Sequence, residues 1–162
     1  MFGALFLTTV APYMCDMELS QSAPDATACL RAAGLRPTRQ RIALARLLFD
    51  GGDRHVTAEH LHNEALAQSI RVSLATVYNT LHQFTAAGLL HEVVVDPGRS
   101  YFDTNTRDHH HFFCESTGHL QDIPGEMVRV GQLPAPPDGA EIRRIDVIIR
   151  VRRDSRVTLS QN

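Results

Sequence analysis

Apolar positions between Asp25 and Leu90 recur every three or four residues, so this part of the chain reads as a series of short helices. Asp25 caps a first helix that runs through Ala33 and is stopped by Gly34. Thr38 caps a second over residues 39–49, with Ile42, Ala45 and Leu48 inward and Asp50-Gly51-Gly52 as its end. Thr57 caps a third over residues 58–68, with Leu61 and Ala65 inward. Ile70-Arg71-Val72 is long enough only for a bridge strand. Ser73 then caps a fourth helix over residues 74–87, striped by Leu74, Val77, Leu81 and Phe84 and stopped by Gly88.

The period shortens at His91. His91-Glu92-Val93-Val94-Val95 and Ser100-Tyr101-Phe102-Asp103 read as strands around Asp96-Pro97-Gly98-Arg99, and Pro before Gly at the two central positions predicts a type II turn. Helices followed at once by a hairpin predict a winged helix-turn-helix, with the fourth helix in the major groove and Arg99 at the wing tip on the backbone. Beyond Asn105 the pattern predicts strands over residues 109–114 and 119–123, a break at Pro124-Gly125, and a short helix near 126–132. A Pro-rich loop and a last strand over 141–151, alternating at Ile145, Val147 and Ile149, complete it. The expected fold class is α+β, with a DNA-binding domain over 23–104 and a thin α+β dimerisation domain over 105–154. So thin a module needs a second copy to complete its core, so a homodimer is expected.

Composition adds direction. The 162 residues carry a net charge of -2, and all 16 basic residues are arginine. Arg31, Arg36, Arg39, Arg41, Arg46 and Arg54 crowd the first helices against only Asp50 and Asp53, whereas residues 103–141 are acidic and hold His109, His110, His111 and His119. A basic front and an acidic, histidine-rich back suggest one surface for phosphate and another for metal. Cys15, Cys29 and Cys114 are odd in number and form no Cys-x-x-Cys, which fits a reducing, cytoplasmic setting. The apolar run over residues 1–14 has no basic residue before it, no Ala-x-Ala after it, and is too short to span a bilayer. Residues 1–22 are read as a disordered leader, with Met14 and Met17 as alternative starts, and 155–162 as a tail; no membrane partner is expected.

The most informative chemistry is the triplet His109-His110-His111 inside the apolar stretch 108–114. In a strand, His109 and His111 share a face and His110 takes the other, so two imidazoles can grip one ion while the third is free for another ligand. An affinity tag is a poor alternative, because the triplet lies mid-chain and runs into Phe112-Phe113.

Five stretches together resemble one family. They are Gly34-Leu35-Arg36-Pro37-Thr38-Arg39-Gln40-Arg41, then His55-Val56-Thr57-Ala58-Glu59-His60-Leu61, then Ser73-Leu74-Ala75-Thr76-Val77-Tyr78-Asn79-Thr80-Leu81. Phe84 with Ala87-Gly88-Leu89-Leu90, and the histidine triplet, follow. The chain resembles the ferric uptake regulator (Fur) family of metal-responsive repressors over residues 25–153, most specifically over 34–123. Asp103-Thr104-Asn105-Thr106 before an uninterrupted triplet is similar to the haem-responsive iron response regulators of rhizobia within that family. The Cys-Pro haem motif that some of those regulators carry is absent, so haem sensing here rests on histidine.

The resemblance implies a metal site at His55, Asp103, His109, His111 and Asp122, suited to Fe(II), Mn(II) or Zn(II), and double-stranded DNA as the partner, an A·T-rich pseudo-palindromic operator. A second metal or haem site falls on Asp108, His109, His110, His111 and Glu126. The family's structural zinc of paired Cys-x-x-Cys motifs is not expected, since Thr117 stands where a partner of Cys114 belongs. The DNA-facing residues implied are Arg36, Thr38, Arg39, Ser73, Thr76, Tyr78, Asn79 and Arg99. Asn reads adenine, Tyr packs on a thymine methyl or a phosphate, and Arg36 suits a narrow minor groove; the plainer alternative is an amphipathic, solvated surface. His60, His62, His82 and His91 are read as surface or packing residues, and Cys114 as a small buried hydrophobe. The expected function is a repressor in iron homeostasis answering to haem or a divalent metal. A Fe(II)- or Mn(II)-sensing repressor without haem is the alternative, and a His-x-His metalloenzyme the remote one.

Overall fold

The structure is a computed structural model that describes residues 25–152; the expectations for the leader and the tail, Cys15 among them, lie outside the described residues. Four helices open the fold: α1 (Ala26–Ala32), α2 (Arg39–Phe49), α3 (Ala58–Ala67) and α4 (Leu74–Ala86). Asp25, Thr38, Thr57 and Ser73 each accept a backbone N–H with their side chain at the helix start, so all four predicted caps are formed. Leu30, Leu44, Leu48, Leu61, Val77, Leu81 and Phe84 are fully buried where these helices meet. Burial of each such side chain contributes about 1.5–3 kcal/mol. Leu74, at the exposed start of α4, remains 36% accessible despite lying on the predicted stripe.

Three helices end alike. At Gly34 and Gly88 the chain turns left-handed, and the next residue's N–H returns to Leu30 or Phe84. Ser69 does the same after α3 at φ 60°, with Ile70 N–H on the Ala65 carbonyl at 2.8 Å. A side chain in that conformation costs energy that glycine avoids. Ser69→Gly is therefore expected to raise stability by about 1 kcal/mol in denaturant unfolding.

Two three-stranded sheets follow. The first has the order β1-β3-β2, from β1 (His55–Val56), β2 (His91–Asp96) and β3 (Arg99–Asp103). The bridge strand is thus β1, which lies opposite Asp103 and Phe102; Ile70-Arg71-Val72 forms no strand, because its chain is taken up by the turn that ends α3. Gly98 at φ 84° closes the β2–β3 wing, as a Pro-Gly turn of this type requires. The second sheet has the order β5-β4-β6, from β4 (His109–Cys114), β5 (His119–Pro124) and β6 (Ile148–Val151).

Two expectations for the back module are corrected. Gly125–Met127 is a single 3-10 turn rather than a helix to 132, followed by exposed, Pro-rich chain. The last strand begins at Ile148, not 141, and runs parallel to β4 opposite His111–Cys114. The back sheet also does not stand alone. Val93 and Val95 of the wing join Phe113 and Leu120 in one buried cluster, flanked by Tyr101 and Ile148. Tyr101 donates its hydroxyl to the Gly118 carbonyl, and Arg150 donates to Asp96 at 3.1 Å and to the Val95 carbonyl. The wing is the shared wall between the two halves.

Candidate metal centre

β4 buries alternate residues, which sends His109 and His111 inward with 5% and 1% exposure. His55 arrives on β1 and Asp103 at the end of β3, brought level by their pairing in the first sheet. Asp122 lies opposite His111 on β5. The five predicted ligands therefore converge, and one donor atom from each lies within 4.8 Å of all the others. Five atoms so spaced suit one ion about 2.0–2.4 Å from each, the range of nitrogen and oxygen ligation.

The polar contacts explain why the cluster holds its shape and why it suits a cation. His109 Nδ1 lies 2.8 Å from the Arg107 carbonyl, a contact that places the proton on Nδ1 and leaves Nε2 facing the cluster as a lone pair. That Nε2 lies 2.7 Å from Asp103 Oδ2 and 3.0 Å from His111 Nε2. Asp122 Oδ1 is 2.9 Å from His55 Nε2, yet both atoms are sealed from solvent without a well-directed hydrogen bond. Buried lone pairs left unsatisfied in this way carry a desolvation cost that a shared cation removes.

Burial would raise the Asp103 carboxyl, but the His111 and His55 imidazoles and the Asn105 N–H beside it hold it well below the usual carboxylate range. Burial would lower His55, but the hydrogen bond and charge of Asp103, with Asp122 and Asp53, more than reverse this and raise it above its ordinary value. The signs fix a pH window for the metal-free protein. The Asp103 contribution is present above its unfolded pKa of about 3.9 and is lost as pH falls; the His55 contribution is present below about 6.5 and is lost as pH rises. Thermal melts in chelator should show this pair stabilising the fold most between about pH 4 and 6.5. A divalent ion needs the imidazoles unprotonated, so the melting shift it produces should grow from pH 6 to pH 8. A shift that shrinks over that range would contradict the assignment.

The second set does not assemble. His110 faces the other side of β4, half-buried with its Nδ1 unpartnered, while Asp108 and Glu126 are exposed. Among the described residues the five-ligand group is the only cluster of its kind, so Asp108, His110 and Glu126 form no second one. Cys114 is also corrected: it shares the half-buried face with His110 rather than the core face of Phe113. Hydrogen bonds from Ser116 and Thr117 lower its thiol to about 7. His62 bonds the Val72 carbonyl, His82 packs edge-on to Phe102, His60 lies 3.3 Å from Glu64 and His91 3.4 Å from Asp146. These four are packing and surface residues, as expected.

The residues expected to face DNA are exposed, with one exception. Ser73, Tyr78 and Asn79 are exposed along α4, and Thr76 is half-buried. Arg36, Thr38, Arg39 and the wing-tip Arg99 are exposed as well. Thr38, Thr76 and Asn79 line a groove of about 200 Å³ between α2 and α4. Gln40, Arg41, Thr80 and Gln83, to which the sequence assigns no role, complete it. Arg41 donates to the Arg36 carbonyl at 2.8 Å and to Gln83 Oε1 at 2.5 Å, tying the start of α2 to the recognition helix. The clue was present in Arg-Pro-Thr-Arg-Gln-Arg, where every second or third side chain is a cation. Tyr78 donates its hydroxyl to Glu59 on α3 at 2.6 Å.

A winged helix joined through its wing to a second sheet, with a five-ligand cluster at the joint, defines a DNA-binding regulator of the metal-responsive class. Residues 32–149 match the Ferric uptake regulator family, and the chain belongs to that family. It is 36% identical over 108 residues to the peroxide-responsive repressor PerR of Staphylococcus epidermidis, a match spanning 67% of this chain and 69% of that relative. The fold is similar to the ferric uptake regulator from Pseudomonas aeruginosa with manganese, at TM-score 0.60 and 29% identity, covering 79% of this chain and 97% of the other. It is also similar to the Vibrio cholerae ferric uptake regulator, at TM-score 0.63 and 22% identity, covering 80% and 100%. Regulators of this family are dimeric DNA-binding proteins that control transcription. Among the described residues no helix is long and apolar enough to cross a membrane.

Proposed function

We propose that this chain is a homodimeric, cytoplasmic repressor of iron homeostasis that binds one divalent metal at His55, Asp103, His109, His111 and Asp122. The convergence of those five donors within 4.8 Å, with buried lone pairs left unsatisfied, carries the reading. Manganese in the Pseudomonas relative and iron in the Francisella tularensis regulator support Mn(II) or Fe(II) as the ion. When bound, the ion supplies a positive centre shared by donors from β1, β3, β4 and β5. His55 immediately precedes α3 and Asp103 ends the wing, so holding both against β4 and β5 restrains the DNA-binding part, 23–104, on the dimerisation part, 105–154. Restraint lowers the ordering cost of docking two recognition helices about 34–36 Å apart on DNA, so metal raises affinity. Ile142, Ile149 and Val151 stay exposed in the back module and supply apolar surface for a second copy. Membership of a family of transcription regulators, with the imidazole pair and Asp103 buried, favours regulation over metalloenzyme chemistry for this cluster.

The test is a titration of metal-free protein with Mn(II), Fe(II) and haem, read as binding to an A·T-rich pseudo-palindrome and to a random duplex. Affinity should rise with metal and fall steeply with salt, as phosphate contacts release counterions. Tyr78→Ala should cost about 1–3 kcal/mol on the specific duplex and little on the random one. Equal losses on both would remove Tyr78 from sequence reading.

A second reading keeps haem as effector, in line with the resemblance to the iron response regulators. Its supporting observation is His110, half-buried, on the opposite face of β4 with an unpartnered Nδ1. Haem drawing imidazoles from the 109–111 triplet would loosen the two halves, so this reading requires DNA affinity to fall as haem binds. Unchanged affinity in the haem arm leaves the divalent-metal reading alone.

A further inference from the structure

Asn105 is buried, at 8% exposure, in the loop between the wing and β4. Its backbone N–H donates to Asp103 Oδ1 at 2.8 Å, and its side-chain amide donates to Asp122 Oδ2 at 2.9 Å. Its own side-chain carbonyl is held by the Arg107 N–H at 3.2 Å and the Arg107 Nε at 3.3 Å. The flip of the amide is therefore fixed by partners on both ends, since only the NH2 group can donate to a carboxylate. One residue thus ties down one oxygen of each acidic ligand, from strands that belong to different sheets.

The remaining oxygens are the ones that face the imidazoles. Asp103 Oδ2 lies 2.7 Å from His109 Nε2 and 3.3 Å from His111 Nε2. Asp122 Oδ1 lies 2.9 Å from His55 Nε2 and 3.9 Å from both His109 and His111. A carboxylate can grip an ion through one oxygen or two, and the choice sets how many donors the ion receives. With Oδ1 of Asp103 and Oδ2 of Asp122 occupied by Asn105, each acid offers a single oxygen.

We infer that Asn105 is a positioning residue that makes both carboxylates monodentate and so fixes the donor set at three imidazole nitrogens and two oxygens. The inference rests on the metal-binding reading above. Ions that favour more oxygen donors are penalised by this arrangement, so Asn105 contributes to which metal the regulator answers. It does so without touching the ion, through the outer hydrogen bonds that orient ligands.

The test uses Co(II) as probe on the full chain, with affinity and the visible d–d spectrum measured for the wild type, Asn105→Ala and Asn105→Asp. Ala removes the side-chain donor; Asp is nearly isosteric, keeps the fold where Ala does not, and cannot donate to Asp122 when ionised. The backbone bond to Asp103 survives in both. Both variants are expected to bind Co(II) about 10–100-fold more weakly. Their bands should also weaken, because a second oxygen from Asp122 raises the coordination number and the symmetry around the ion. Variants with wild-type affinity, or weaker affinity with an unchanged spectrum, would overturn the inference, the latter showing a residue that only supports the loop. A wild-type protein that binds no Co(II), or binds it equally after His109→Ala with His111→Ala, removes the metal reading itself, and the inference falls with it.

Discussion

Replacing His109 and His111 together by alanine is expected to abolish stoichiometric divalent-metal binding and the metal-dependent part of DNA affinity. The pair supplies two of the three imidazoles, on the one strand whose alternation buries both. What remains is His55 with two carboxylates, a site too poor in nitrogen to hold a transition metal against water. The substitution also removes the His111 imidazole that supports Asp103, fully buried, and leaving a buried carboxylate short of a partner costs about 1–3 kcal/mol. Lower stability alone could mimic lost function, so His109→Gln with His111→Gln is the companion variant. Its amides can still donate toward Asp103 and should recover much of the stability without recovering the metal. His62→Ala, whose ring only bonds the Val72 carbonyl, should leave metal binding unchanged. Equilibrium dialysis that finds one bound ion per chain in either double variant would disprove the site.

The parts of this fold that could be read from sequence are those whose causes are local. Each helix start is set by a capping side chain and the amide two or three residues on, so Asp25, Thr38, Thr57 and Ser73 announced the helices correctly. The bridge strand could not be found this way. His55–Val56 is a strand only because β3, far along the chain, lies beside it, whereas Ile70-Arg71-Val72 has the better strand composition and no partner. The last strand fails similarly: alternation continues upstream of Ile148, but β4 offers a pairing edge only from His111 to Cys114. The convergence of the five proposed ligands was legible because a His-x-His pair marks one face of a strand and the family likeness supplied the rest. Asn105 was not, since its role comes from Asp122 on a different strand and from the direction of an amide. The second set forms no cluster among the described residues: alternation on β4 puts His110 on the face opposite His109, and Asp108 and Glu126 stand exposed.

Phe113→Ala is expected to destabilise the protein by about 3–5 kcal/mol, the cost of emptying a large, closed apolar site. Its ring is 2% exposed and joins the two halves: Val93 and Val95 reach it from the wing, and Leu120 from β5. Tyr101 stands edge-on at 6.3 Å and the Arg150 guanidinium lies over the ring at 5.6 Å, so Ala removes an aromatic pair and a cation–π contact along with the packing. The helical core around Phe84 and Leu81 contains no residue of this cluster. The loss should therefore be uneven, with the wing and back sheet opening below the temperature at which α1–α4 melt. Hydrogen exchange in the variant should show faster exchange along β2, β4 and β5 and near-native protection in α4. Metal affinity should fall too, because His111 is presented two residues before the missing ring on the same strand face. A variant that still unfolds in one transition, with every amide weakened equally, would mean that the two cores form a single cooperative unit and that the wing is no more than its surface.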